Sequence, residues 1–318
     1  MKAGSREHQT HIQNRDAAWM ARPVDYRTWG QDSDLVVTLN QWQHNALSPA
    51  IKQFAKLRNY RVTIRNGRCG NSKRLLQDKA VDMGGFCCPP SFGDRLPGLT
   101  FHTIGIIPLA ILLHESNPHD NLTLKQVRAI FQGKINDWSK LSGSNLQSAK
   151  PLPIRILARL HCKLRPGHWR LLLDNTDQFG ANAHMVGTVP DMILKGVAGF
   201  TGSIGFETLS TLKYYQQKHK NLPVKAARID GLAPSDLKHL LSGAYPLYEV
   251  SNLAIWEPPH VANGKAMELI HHLANLTEHH PQRVNSRQVI PASDLRRAGW
   301  RFFGPELVGA PLAPAEAP

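Results

Sequence analysis

Four cysteines, Cys69, Cys87, Cys88 and Cys162, are the residues of this chain best suited to chemistry, and no C-x-x-C pair occurs among them. No standard zinc or redox motif follows. His161 adjoins Cys162, and His168 stands six residues beyond it. Basic residues at 68, 73, 159, 163 and 165 add positive charge around these thiols, which is expected to lower their pKa values and favour thiolate. Thiolate with imidazole suits a soft cation such as copper(I) or zinc. No cofactor is expected; such an ion is the one candidate left open, with Cys69, Cys87, Cys88, His161 and Cys162 as its ligands. Two plainer readings stay open beside this one. The thiols could be structural disulfides; Cys87 and Cys88 would not bond to each other without strain, so one of them would join Cys69 or Cys162. They could also be small buried hydrophobes.

Little else in the chain reads as catalytic. There is no nucleophile–base–acid arrangement, P-loop or metalloprotease helix, and the glycines of 196–205 lack dinucleotide spacing. An enzyme is not expected. His271–His272 and His279–His280 fall in and after a helix-like stretch and read as a solvated face, with i to i+8 placement keeping a metal role open. Trp138, Trp169 and Trp256 read as core, and Asp82 as a local hydrogen-bonding group.

The 318 residues are 42% hydrophobic and 19% charged, the composition of a globular chain of about two domains. No run reaches the ~18 apolar residues of a membrane span. The formal charge of +14 favours acidic partners. It is dispersed, without dense basic runs or regularly spaced aromatics, so nucleic acid is not expected as a partner.

The elements that must position these residues alternate strand and helix. Leu35–Leu39, Arg61–Arg65 and Ala80–Gly84 read as strands, with helices at Pro49–Leu57 and Ser72–Lys79; this is the βαβαβ pattern of a largely parallel sheet. Long strands around Thr103–Leu113 and Tyr245–Trp256, each holding a proline, bracket a central stretch and suggest two crossings between lobes. Between them, Thr123 and Gln126 frame a capped helix ending before Gly133. Pro153–Leu160 and Gly202–Phe206 read as strands, with a tight turn in 196–205 leading into the latter; His168–Asp174 and Lys265–Thr277 read as helices. The expected organisation is a polar arm at 1–34, one lobe at 35–107 plus 247–305, a second at 108–246, and a disordered Pro/Ala-rich tail at 306–318.

The run Leu122–Trp138, followed by Leu141 and Gly143, resembles the helix-and-turn signature of phosphate-type ABC-transporter substrate-binding proteins. Ala80–Gly84, Gly202–Phe206 and Tyr245–Leu247 fall in the family's order, and the resemblance covers about 35–300. It implies an α/β, two-lobed type II periplasmic-binding-protein fold: two mixed sheets flanked by helices, joined by two crossover strands, and closing on a small ligand. Free N–H groups and helix N-termini in such a fold favour anions. Three strand-to-helix loops, 40–48, 68–72 and 159–168, would line the cleft, and with Cys87 and Cys88 they contain all four cysteines.

The ligand-binding candidates are thus Asn45, Cys69, Gly70, Asn71, Cys87, Cys88, Arg159, His161, Cys162, Lys163 and Arg165. Arg159 matches the family arginine and could clamp an oxyanion. The family's serine aligns with Cys69 or Gly70, its acidic residue with Cys87, and its serine-glycine-threonine turn with Lys163–Arg165. Those changes remove hydroxyl donors and the acceptor for a protonated ligand. The expected partner is therefore a small anion or a thiophilic ligand, passed to an ABC permease or a sensor by a monomer. The alternative is a cytoplasmic redox- or metal-sensing regulator on the same fold. Residues 1–34 lack an apolar signal core; the family implies a periplasmic setting, with a signal upstream or removed.

Overall fold

The computed structural model describes residues 11–141, 151–159, 172–173, 179–284 and 288–311. The chain divides into two compact units, Met1–Ile106 with Val250–Pro318, and Ile107–Glu249.

In the first unit, strands β1 (Leu35–Asn40), β2 (Val62–Gly67) and β3 (Met83–Phe86) are parallel, with β1 between the other two. Strand β11 (Tyr248–Trp256) runs antiparallel beside β3 and is followed by β4 (Leu99–His114), on which β12 (Ile290–Pro291) pairs antiparallel. The apolar run in β1 is continuous because both of its faces are covered. Leu35, Val37 and Leu39 pack on one side with Ile51, Phe54 and Leu273; Val36 packs on the other with Leu76, Phe86 and Phe101.

The helices between these strands begin earlier than their apolar patterns suggest. Helix α2 spans Gln41–Arg58, so residues 41–48, expected as a loop, are its first two turns. Asn40 caps it by accepting from the Gln43 amide at 3.0 Å, and Gln43, Ala46, Leu47, Ala50, Ile51 and Phe54 form its buried stripe. Pro49 lies inside this helix on its exposed side, as does Asn45, whose carbonyl it leaves without its i+4 donor. Helix α3 spans Cys69–Gln77.

The arm is built into this unit. Helix α1 (Ala17–Ala21) is capped by Asp16, and the buried Lys79 donates to the carbonyls of Met20 and Arg22 beside the Trp19 ring. The tail expectation is corrected for residues 306–309. Glu306–Gly309 is strand β14, paired with β13 (Arg301–Phe303). Glu306 grips Arg95 through two hydrogen bonds, 2.7 and 2.9 Å, with both side chains nearly buried. A partner almost a full unit away in sequence, invisible to local composition, orders this segment.

In the second unit, β5 (Asn121–Leu122) pairs with β10 (Arg228–Ile229), and β6 (Arg155–Arg159) lies parallel between β7 (His184–Val186) and β8 (Ser203–Thr208). The continuation of β4 pairs antiparallel with β8 and with β9 (Val224–Ala226). Helix α4 (Leu124–Phe131) has the expected reciprocal cap between Thr123 and Gln126. It ends at Gly133, whose φ of 76° is the left-handed conformation that glycine adopts without strain. Trp138 and Trp256 are buried, and each indole N–H donates to a backbone carbonyl, of Gly202 and Val81 respectively. The helix expected at 168–174, except its residues 172–173, lies outside the described residues, as does Trp169.

Glu306→Ala strands a nearly buried guanidinium and is expected to lower stability by about 3–5 kcal/mol, whereas the Arg95→Met/Glu306→Leu pair should lose far less. Urea unfolding of the three proteins checks this; an unchanged midpoint in Glu306→Ala would show that the terminal strand is dispensable.

Candidate functional site

The parallel trio directs three chain segments to one edge. From β1 the chain crosses through α2 to β2 on one side, then through α3 to β3 on the other, so strand order reverses at β1. Outside the carboxyl ends of such strands lies the usual ligand position of an open α/β sheet. Here those ends deliver Asn40, the pair Arg68–Cys69, and Cys87. The buried Gln43 side chain ties the edge together: its amide donates to Phe86 O, Ser251 Oγ and Asn252 O, and its oxygen accepts from Asn40 Nδ2. Gly85 makes room for it, since a Cβ there would fall 2.1 Å from Gln43 Oε1.

Three sulfurs gather at this edge. Cys69 is the first residue of α3, and Cys87 and Cys88 follow the last residue of β3. The Cys87 amide donates to Cys69 Sγ at 3.2 Å, Cys69 Sγ and Cys87 Sγ stand 3.0 Å apart, and Cys87 Sγ and Cys88 Sγ 3.6 Å. Successive residues of a regular strand point to opposite faces. The bend at 87–88, ahead of Pro89 and Pro90, breaks that alternation and lets adjacent side chains share one cluster. All three sulfurs lie within 4.8 Å of one another, and Cys69 and Cys88 are buried. A thiolate trio around zinc would place its sulfurs roughly 3.8 Å apart, given Zn–S bonds of about 2.3 Å. A disulfide would need about 2.05 Å. The closest pair here lies between the two.

The expected lowering of thiol pKa is corrected for Cys87. Its contact with the Cys69 sulfur, then that with Cys88, and burial hold this thiol well above its ordinary range. Neighbouring sulfurs disfavour a second negative charge at close quarters, and desolvation disfavours the first.

Of the other candidates, Asn45 projects from an exposed turn of α2 rather than from a loop, and Gly70 and Asn71 are exposed in the first turn of α3. Arg159, in the second unit, is buried and ion-paired through Nη1 to Glu207, a neighbouring-strand carboxylate that an aligned family arginine does not announce. His161, Cys162, Lys163 and Arg165 lie outside the described residues. Asp82 is structural: it accepts from Tyr26 Oη at 2.6 Å, Val36 N at 2.7 Å and Asn263 Nδ2 at 3.2 Å. Burial raises its carboxyl pKa, against the pull of those bonds. His271, His279 and His280 are exposed, and His272 leans on Phe54 with ring centroids 5.1 Å apart. Sequence reasoning passed over Gln43 and Ser72. An Asn-x-x-Gln spacing ahead of the apolar stripe signals the first; Ser72, fully buried one turn after Cys69 with no partner for its hydroxyl among the described residues, carries no local signal.

Residues 25–159 match the family model of the PBP superfamily domain. An ABC-type phosphate transport receptor from Vibrio cholerae has TM-score 0.63 at 17% identity, covering 81% of this chain and 99% of that one. A putative phosphate ABC transporter substrate-binding protein from Clostridium perfringens, with bound phosphate, gives 0.62 at 17%, with coverage of 81% and 99%. The regulatory domain of MetR, a LysR-family regulator from N. meningitidis, gives 0.53 at 11%, with 81% and 97%. These likenesses establish the expected type II binding-protein fold. No helix among the described residues is long and apolar enough to cross a membrane.

Cys87 should alkylate slowly near neutral pH, its rate rising only above the ordinary thiol range, and Cys69→Ala/Cys88→Ala should move that rise to lower pH. Because folding raises this pKa, the associated stability is whole below the unfolded-state value of about 8.5 and lost as pH climbs through the folded one. Iodoacetamide kinetics against pH read the shift; an unchanged profile in the double variant would refute mutual thiol control.

Proposed function

We propose that the protein is a solute-binding protein whose ligand is thiophilic, a soft metal cation or a trivalent arsenic oxyanion, held in the first unit by Cys69, Cys87 and Cys88. The observation that carries this reading is the convergence of three sulfurs within 4.8 Å at the carboxyl ends of the parallel strands. Thiols here offer soft donors in place of the hydroxyls and carboxylate by which a phosphate binder would recognise its ligand. Arg159, committed to Glu207, is a poor clamp for a free dianion.

Capture needs little rearrangement in this account. The Cys69–Cys87 pair opens from 3.0 Å to a metal-bound spacing, and protons leave as the thiols bind. Affinity consequently falls with falling pH. The ligand is then handed to an ABC permease or presented to a sensor, in the periplasm.

One observation favours a second reading. The 3.0 Å Sγ–Sγ approach also suits a redox sensor in which Cys69 and Cys87 give two electrons and two protons to hydrogen peroxide, forming one disulfide and two waters. Thiol titration before and after peroxide separates the two: loss of two thiols, restored by dithiol, belongs to the sensor.

Thermal-shift assays of the reduced protein with Cu(I), Zn(II), arsenite and phosphate test the primary reading. A thiophile at about a hundredfold excess over its Kd should add roughly 2.7 kcal/mol of stability, and Cys87→Ser should abolish the shift. No shift with any of the thiophiles, whatever phosphate does, would overturn it.

A further inference from the structure

A second polar site lies in the first unit, away from the sulfurs in chemistry and in residues. A cavity of about 100 Å³ opens where the arm, the outer strand β2 and helix α3 meet. That is several times the space one ordered water requires. Three arginines line it, one from each element: Arg27, Arg65 and Arg74. Arg27 is bonded to Asp78 at 2.6 Å. Among the described residues, neither Arg65 nor Arg74 has a carboxylate within ion-pair distance. Arg65 instead lies over the Trp29 ring, 4.7 Å from its centroid, which holds the guanidinium at the cavity wall.

The cavity also reaches a buried group that lacks a partner. Thr38, on β1, is 1% exposed and lines the cavity, and its Oγ1 has no hydrogen-bond partner among the described residues. A buried hydroxyl left unbonded is costly, and native structures satisfy nearly all such groups. Gly67 keeps access to it: a Cβ there would stand 3.5 Å from Thr38 Oγ1 and 3.2 Å from Asn71 Cβ. The amides of Asn66 and Asn71 add neutral donors on the same wall.

The Arg65 and Arg74 guanidinium groups, an unpartnered hydroxyl and side-chain amides surround this small polar cavity as a set of donors. We propose that this cavity is an anion site for a free tetrahedral oxyanion of the sulfate or phosphate type, held by Arg65, Arg74 and the Thr38 hydroxyl. A net charge of +14 makes the molecule attractive to anions in general; this cavity gives part of that charge directional donors. Occupancy would fasten the arm, through Arg27 and Trp29, to α3. The site does not depend on what the cysteines bind.

The test is calorimetric titration of the reduced, full-length protein with sulfate, inorganic phosphate and glycerol 3-phosphate at constant ionic strength. Saturable binding of sulfate or phosphate is expected. It should weaken about tenfold or more in Arg65→Gln or Arg74→Gln and several-fold in Thr38→Val, and persist in Lys213→Gln, which removes an equal charge from an exposed position of the other unit. No saturable binding, equal loss in Lys213→Gln, or affinity unmoved in all three cavity variants would overturn the proposal. A preference for glycerol 3-phosphate of more than tenfold would overturn the free-anion class. Thermal melts of each variant separate lost binding from lost fold.

Discussion

Parallel pairing of Val62–Gly67 and Met83–Phe86 on either side of Leu35–Asn40 is the constraint on which the rest of the first unit depends. Parallel strands require crossovers, and crossovers bring helices onto both faces. The central strand is therefore apolar on both sides, and every polar chain reversal is expelled to the strand ends. At the carboxyl ends the segments that leave β1, β2 and β3 converge, and Gln43 binds them into one edge with four hydrogen bonds. The sulfurs of residues 18 and 19 positions apart meet there because of topology, with no motif in the chain to announce it.

Charge is handled in two ways. Where a cation is buried, a specific acceptor accompanies it: Glu306 for Arg95, Glu207 for Arg159, arm carbonyls for Lys79. An unpaired charge in such places would carry a large desolvation penalty. The remaining excess of Lys and Arg stays at the surface, and the arginines around Thr38 belong to that set while facing a shared hollow. Buried acids show the converse. Asp82 sits with its pKa raised by desolvation and three donors around it, fastening the arm, the first strand and Asn263.

A fold shared by phosphate receptors and the regulatory domain of a LysR-family regulator cannot name a ligand. Strand ends and helix starts of that scaffold are positions, and residue chemistry at those positions decides what binds. In this chain sulfur occupies them. The raised thiol pKa of Cys87 bears on either proposed use, since it holds that thiol protonated near neutral pH.

Much was legible from the residues alone. The strands at Leu35, Arg61 and Thr103, the Thr123–Gln126 cap and the glycine that ends its helix follow from local patterns of burial, capping and backbone preference. So does the class of fold, through the Leu122–Trp138 run and the family order around it. What local pattern could not decide was anything set by a distant partner. Residues 41–48 read as a loop because Pro49 hides the helix that Gln43's buried bonds sustain, and the tail read as unstructured because Arg95 lies 211 residues from Glu306. Whether the cysteines meet, which carboxylate holds Arg159, and that Thr38 lines a hollow walled by three arginines were decided only in three dimensions. Hydrogen bonds and ion pairs fall off over a few ångströms, and only the folded chain brings residues so far apart in sequence within that range.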